Sequence, residues 1–288
     1  MFDFRYHALT IVSVFLALMI GLLLGIAIGD AGLVSSAGND VRASLRKDVR
    51  EARADAARLR VELRRQKQVE EDLYPLVVSN RLPGVRVGLI GLGGLSNSIV
   101  RDTRLALRDT GGSVAGIGVL REPVDEADLP AAPSPRSGRN APAADPVRAA
   151  SAYGRAVGLA LMRGGKPAKA AVRTVFESSS GAIDGGLDAI VLYRSPPTGM
   201  DTQAEKVTEA FEDGLVAGLS ANQQPVVGVE QTTTSPSQIP WYTDHKLPSV
   251  DNIDQLPGRA SLVLALAGAN GAYGVKDTAE ELLPSAVG

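Results

Sequence analysis

Few residues of this 288-residue chain have the type and spacing to do chemistry. The most regular group is Gly91-Leu92-Gly93-Gly94-Leu95-Ser96, which follows an apolar run and precedes a helical one. In open α/β sheets a glycine-rich turn at that place lets backbone N–H groups reach a phosphate at a helix N-terminus. Gly91, Gly93, Gly94 and Ser96 are therefore the candidate cofactor-binding residues, and the cofactor would be a nucleotide. The dinucleotide fingerprint, however, wants a third glycine where Ser96 stands. It also wants an acid at a strand end about 20 positions further on, and Glu122 is too distant for that spacing. A tight turn is the plainer reading.

Catalysis finds less support. The chain has no G-x-S-x-G elbow, no phosphate-binding loop ending in Lys-Ser/Thr and no H-E-x-x-H pair. His245, beside Asp244 and close to Trp241 and Tyr242, reads as a surface or packing residue. Ser178, Ser179 and Ser180 before Gly181 read as a loop. Asp251 and Asp254 read as part of a loop capping the helix that follows, rather than as a cation site. A soft metal would need Cys, Met or His. The chain has no Cys, its four Met (Met1, Met19, Met162, Met200) are scattered, and His7 and His245 stand far apart. The sequence therefore points to no catalytic residue, no metal residue and no cofactor, and to a protein that is not an enzyme.

The elements around these residues are easier to read. Residues 8–28 carry no charge and match the roughly 20 residues that span a bilayer core. Small residues recur there every fourth position, at Ser13, Ala17, Gly21, Gly25 and Gly29, a stripe suited to helix packing in lipid. The apolar run exceeds the usual 7–15 residues of a signal peptide's core, so an uncleaved anchor is expected, although Ser35-Ser36-Ala37 resembles a cleavage site. The aromatic head, residues 1–7, carries Arg5, whereas the next basic residue is Arg42. This bias puts the N-terminus in the cytoplasm and the rest outside it.

After a linker at 29–39, residues 40–76 follow a heptad. Position a holds Val49, Ala56 and Leu63; position d holds Leu45, Ala52, Leu59 and then Gln66, and Gln66 at d with Glu70 at a weakens the end of the pattern. The e positions Arg53, Arg60 and Lys67 are basic, and the g positions Asp48, Asp55 and Glu62 are acidic. In a parallel coiled coil these meet as Asp48–Arg53, Asp55–Arg60 and Glu62–Lys67, whereas an antiparallel pair would set like charges together. A parallel homodimer is the expectation, and the plainer alternative is a solvated helix lying on its own C-terminal domain. The basic excess of this stretch is absorbed by that pattern, and a net charge of −2 gives no reason to expect nucleic acid.

From residue 82 to 288 strand-like and helix-like runs alternate, which predicts a mainly parallel sheet covered on both faces. Strands are expected over 85–91, 113–120, 187–193 and 226–230. Helices are expected over 96–109, 147–162, 168–177, 202–219 and 261–267. Residues 121–146 hold six prolines and read as an exposed insertion. The fold class is thus α/β: an N-terminal transmembrane helix, a parallel coiled-coil stalk, and a C-terminal α/β domain with a mainly parallel sheet of about four strands.

Arg5, His7, Phe15-Leu16-Ala17-Leu18, Gly21 and Gly25, followed by the heptads, resemble the opening of the actinobacterial MctB-type copper transporter family. The closing segment resembles that family's C-terminal signature. It comprises Ser249-Val250-Asp251-Asn252-Ile253-Asp254, Gly258-Arg259, Leu262-Val263-Leu264-Ala265-Leu266 and Tyr273-Gly274. The resemblance implies a cell-envelope membrane protein with a role in copper homeostasis or efflux. The chain is also similar to SteB, a coiled-coil protein implied to act with a membrane partner in regulating cell-wall hydrolysis and cell separation. Neither resemblance brings a catalytic motif. A pore in the outer membrane, which the family name suggests, would need many alternating strands of about ten residues, and these are not evident.

Overall fold

The structure is a computed structural model that describes residues 4–30, 33–125, 129 and 145–285. It divides into two units, Met1–Gln68 and Val69–Gly288.

The first unit is helical. Helix α1 (Phe4–Asp30) includes Tyr6–Gly29, a stretch long and apolar enough to cross a membrane and wholly exposed. Its two aliphatic hydroxyls are satisfied inside the helix: Thr10 donates to the Tyr6 carbonyl and Ser13 to the Thr10 carbonyl. Lipid offers no alternative partner for such groups. Phe4–His7 of the expected head form the first turn of α1, and residues 1–3 lie outside the described residues.

Helix α2 (Leu33–Val78) is continuous for 46 residues, roughly 70 Å at 1.5 Å per residue. It takes in residues 33–39 of the expected linker, of which 31 and 32 lie outside the described residues. The ion pairs Lys47–Glu51 and Asp55–Arg58 run along the helix at 3.8 and 3.7 Å, both exposed and individually weak. Pro75 lies inside the last turn of α2, where it removes one N–H from the helical ladder, and the helix ends three residues later.

The second unit is built on a sheet of seven strands in the order β3-β2-β1-β4-β5-β6-β7. They are β1 (Arg86–Leu92), β2 (Ser113–Leu120), β3 (Phe176–Gly181), β4 (Ala189–Arg194), β5 (Val226–Val229), β6 (Ser249–Val250) and β7 (Ala272–Tyr273). All neighbours are parallel except β2 and β3, so β3 is an antiparallel edge strand. The sheet therefore has seven strands where the sequence suggested about four. The three unforeseen strands lack an apolar pattern. The Ser178–Ser180 run, expected to be a loop, is β3, exposed beyond Phe176 and held by backbone pairing with β2. Glu177, expected to end a helix, also lies in β3. Strands β6 and β7 have two residues each, too few to show alternation.

The other helices are α3 (Asn97–Ala106), α4 (Pro146–Arg163), α5 (Gly165–Val175), α6 (Thr202–Leu219), α7 (Ile239–Asp244) and α8 (Leu256–Leu266). Of the Pro-rich insertion, residues 126–128 and 130–144 lie outside the described residues. Strand alternation splits the core in two. Val87, Leu89, Ala189, Val191, Val227 and Val229 face the end of α2, α3 and α8. Ile90, Leu92, Ile190, Leu192 and Val226 face α4, α6 and α7. Helices α4 and α6 touch backbone to backbone: a Cβ on Gly154 would strike the Phe211 carbonyl, and one on Gly214 the Ser151 carbonyl.

Candidate functional site

The chain winds from β1 to β2 on one side and to β4 on the other, so the sheet reverses direction at β1. Open parallel sheets bind ligands outside their carboxyl ends at such a reversal. Polar residues collect at that edge. They belong to the turn after β1, to the ends of β2, β4 and β5, and to the helices packed above.

Gly91 lies within β1, next to its last residue Leu92, and the turn that starts at Gly93 leads into α3. Ser96 is the N-cap of α3, accepting from the Ile99 N–H at 3.3 Å. Gly93 has a positive φ of 75°, and a Cβ there would lie 2.7 Å from a Glu122 carboxyl oxygen and would also strike the Ser195 carbonyl. A Cβ on Gly91 would collide with Gly94 of that turn, while one on Gly94 would make only ordinary contact with Ser195. The four predicted turn residues thus lie together at the switch point. The space beside Gly93 is filled by the protein's own atoms, one of them a carboxyl oxygen.

Ser96 belongs to a longer polar chain. Ser96 and Ser98 hydroxyls are 2.8 Å apart, Ser98 donates to Gln231 at 3.1 Å, and Gln231 donates to Asp102 at 3.3 Å. Asp102 is fully buried and accepts from Arg259 at 3.1 Å. An α3 N-terminus committed in this way is a structural joint.

Glu122, just past β2, is the residue that sequence spacing set aside. Its carboxyl faces Glu212 of α6, and neither oxygen receives a donor from the protein. Glu212 is fully buried and held by Arg194, whose Nε lies 3.2 and 3.0 Å from its two oxygens and whose Nη2 lies 2.9 Å from one of them. Arg194 also donates to Gln238 at 2.7 Å and stacks over the Trp241 ring at 4.8 Å. Burial pushes the Glu122 carboxyl up to about 9, reinforced by the charge of Glu212 and opposed by Arg194. Burial raises Glu212 too, but Arg194 pulls against it directly. Both carboxyls are thus held above the ordinary carboxylate range, and Glu122, at about 9, carries its proton near pH 7. A carboxyl so firmly protonated is a poor general base near pH 7. The cavity beside it, lined by Arg121, Val124, Tyr153 and Phe211 among others, has about 20 Å³, room for a single water.

The signature segment near the C-terminus is a second network. Asp251 accepts from the N–H groups of Val275 and Lys276 at 2.9 and 2.7 Å. Lys276 in turn donates to the fully buried Glu230 at 2.6 Å. Asp254 accepts from the Thr232 N–H and hydroxyl at 2.8 and 3.0 Å. Asn252 packs against Gly258, and Arg259 donates to the Ile253 and Asp254 carbonyls. The expected capping role is thereby corrected: α8 begins without a side-chain cap, because Asp251 is turned toward the strand β7 tail and Asp254 toward Thr232.

His245 stacks on Trp241 at 4.0 Å, with its ring nitrogens 2.8 Å from the Trp241 carbonyl and from Asp213. Met162 is buried in the core, while Met19 is exposed on α1. Among the described residues no three His, Cys, Asp or Glu side chains are grouped to hold a metal. The stripe at Ser13, Ala17, Gly21, Gly25 and Gly29 lies on the exposed α1, and a Cβ on any of its three glycines would meet nothing within 4 Å. The heptad residues Leu45, Val49, Ala52, Ala56, Leu59 and Leu63 are exposed on α2, as are the charged residues Asp48, Arg53, Asp55, Arg60, Glu62 and Lys67.

The described residues thus make an α/β protein with an exposed N-terminal helix long and apolar enough to cross a membrane, a long heptad-patterned helix and a doubly wound α/β unit. The family model described as copper transport outer membrane protein, MctB, matches residues 1–284, and the chain belongs to that family. It is thus a copper-transport-related envelope protein. No curated protein matches it.

Proposed function

We propose that the protein is a non-enzymatic, single-pass scaffold of the cell envelope. In this reading α1 is an uncleaved anchor with its N-terminus in the cytoplasm, and α2 pairs with a second copy as a parallel coiled coil. The α/β unit is then held outside the cytoplasmic membrane, where it engages an envelope partner. Copper handling follows from that engagement, with the metal as cargo of the larger assembly.

The observation that carries this reading is the exposed face of α2, where a and d residues, apolar except for Gln66, are flanked by acids at every g and bases at every e from Asp48 to Lys67. A lone chain leaves that face in water. The open, helix-covered sheet of the second unit also suits a soluble module better than the wall of a membrane barrel.

Two measurements on the full chain in detergent test the reading. The mass should be that of a dimer with both N-termini at one end, and a monomer would overturn it. Calorimetry at micromolar protein should detect no copper binding, because the soft donors are dispersed. Tight stoichiometric binding would replace the scaffold with a direct carrier. The resemblance to SteB gives the same architecture a different partner, one that governs cell-wall hydrolysis. Copper sensitivity and cell separation in a deletion strain would tell the two apart.

A further inference from the structure

Within the α/β unit, the last turns of α2 leave open an apolar groove of about 520 Å³. Its opposite wall is α8, including Leu264, and the tail residue Leu283. The near wall is made by Glu70, Leu73, Tyr74, Leu76, Val77 and Arg81. Carrying the heptad frame on from Val49 to the end of α2 places Glu70 and Val77 at a, Leu73 at d, Tyr74 at e and Leu76 at g, while Arg81 lies in the turn beyond the helix. No groove-lining residue of this stretch stands at b, c or f. The wall of the groove is therefore in phase with the seam predicted for the stalk.

The helix rests on its own unit through other contacts. Val78, at b, is fully buried in the core, and the Tyr74 hydroxyl donates to the Ala106 carbonyl at 2.9 Å. Leu73 and Leu76 stay 52% and 78% exposed, large values for leucines at the foot of a domain.

We infer that this groove receives the foot of α2 from a second copy, so that the α/β units share the dimer interface with the stalk. The inference rests on the parallel-stalk reading above and extends it to the domain. The choice of occupant follows from register. In a parallel pair each g residue faces e of the next heptad. Above the groove those pairs are the opposite charges Asp48–Arg53, Asp55–Arg60 and Glu62–Lys67. At the groove the last such pair is Val69 against Tyr74, while Leu73 at d and Glu70 and Val77 at a meet their own counterparts. The seam changes from charged to apolar flanks just where α8 and Leu283 supply a second apolar wall. A helix of any other phase or direction would set the charges above the groove against one another.

The chain has no cysteine, so single substitutions report contacts without background. The full chain in detergent is treated with diamide after Leu59→Cys (d, stalk), Leu73→Cys (d, groove) or Ala54→Cys (f, control). The first two should form covalent dimers and the control should not. Co-expression of differently tagged Leu76→Cys and Leu283→Cys chains with a short bis-maleimide should yield the mixed dimer. If Leu59→Cys links while Leu73→Cys stays unlinked and reacts freely with maleimide, the stalk reading stands and the groove inference is overturned. If neither links and the mass is that of one chain, the stalk reading fails and takes the groove with it.

Discussion

The Asp251 carboxylate occupies the space that a side chain on residue 274 would need, and from there it accepts the N–H groups of Val275 and Lys276. Gly274 has φ +147°, so the backbone as well as the carboxylate demands glycine at that position. The contact fastens the tail after β7 to the end of β6. These residues are among those that carry the family resemblance, and their roles here are in the fold. Asp251→Ala should lower stability by about 2–4 kcal/mol, the range for losing two hydrogen bonds to a buried carboxylate. Thermal unfolding of the full chain in detergent measures this. A Tm within a degree of the parent's would show that the network is not holding the tail.

Glu122 gives a pH dependence with a defined sign. Its folded pKa, about 9, lies above the ordinary carboxyl value of 4.5, so the folded chain holds a proton that the unfolded chain releases. Stability from this group is full below about pH 4.5 and is lost as pH rises from there through about 9. Glu122→Gln keeps the neutral shape and removes the titration. The variant should therefore gain stability over the parent as pH is raised from 5 to 9, with the difference vanishing near pH 4. Denaturant midpoints across that range check it, and parallel pH profiles for the two proteins would contradict the assignment.

Arg194 offers the complementary experiment. Glu212 is fully buried, and Arg194 is the cation that holds it. Arg194→Met should destabilise by about 3–5 kcal/mol, the loss expected when a buried charge is stripped of its partner. Adding Glu212→Gln should recover part of that loss, because the stranded charge is then gone. The double variant measured by the same unfolding assay decides it: no recovery would mean that Arg194 acts through Trp241 and Gln238 instead.

How far the sequence disclosed this molecule depended on whether a feature is recorded in side chains. Strands β1, β4 and β5 are largely buried apolar runs, β2 is mostly apolar with alternate residues buried toward its end, and α6 begins at Thr202 after the N-cap Asp201, so both kinds of element were legible. Strand β3 is polar on both faces and exists through pairing with β2, which no periodicity encodes. Strands β6 and β7 are shorter than one alternation. At the candidate site the turn from Gly91 to Ser96 was visible, but its filling was not. Glu122 reaches Gly93 because β2 lies beside β1, and spacing alone placed it too far along. The readable signal was an acid at the end of the second strand, which is where a parallel sheet brings it next to the turn after the first.

The closest helix contact sets a steric prediction. Gly154 and Gly158 of α4 lie against carbonyls of Phe211 and Leu215 on α6, and Gly214 and Gly218 of α6 against carbonyls of Ser151 and Arg155 on α4. Because the obstacle is backbone on both sides, no side-chain rotation can make room. Gly214→Ala, favourable by helix propensity alone by about 1 kcal/mol, should instead destabilise by about 1–3 kcal/mol, since the helices must move apart and loosen the core beneath them. A rise in Tm for this variant would mean that α4 and α6 do not approach as described.

The final prediction concerns the stalk. Arg53→Glu with Arg60→Glu places acids at e opposite the acids at g, Asp48 and Asp55, in a parallel pair. Each exposed pair contributes only about 0.2–1 kcal/mol, but replacing two attractions by two repulsions at matched positions weakens association measurably. The dimer dissociation constant in detergent should rise about tenfold or more. Adding Asp48→Lys with Asp55→Lys restores opposite signs at both positions and should return the constant toward its original value. Rescue depends on direction, because in an antiparallel pair e faces e and the added lysines at g would face one another. Failure of the rescue with the fold intact would therefore exclude the parallel arrangement, on which both the scaffold reading and the groove inference depend.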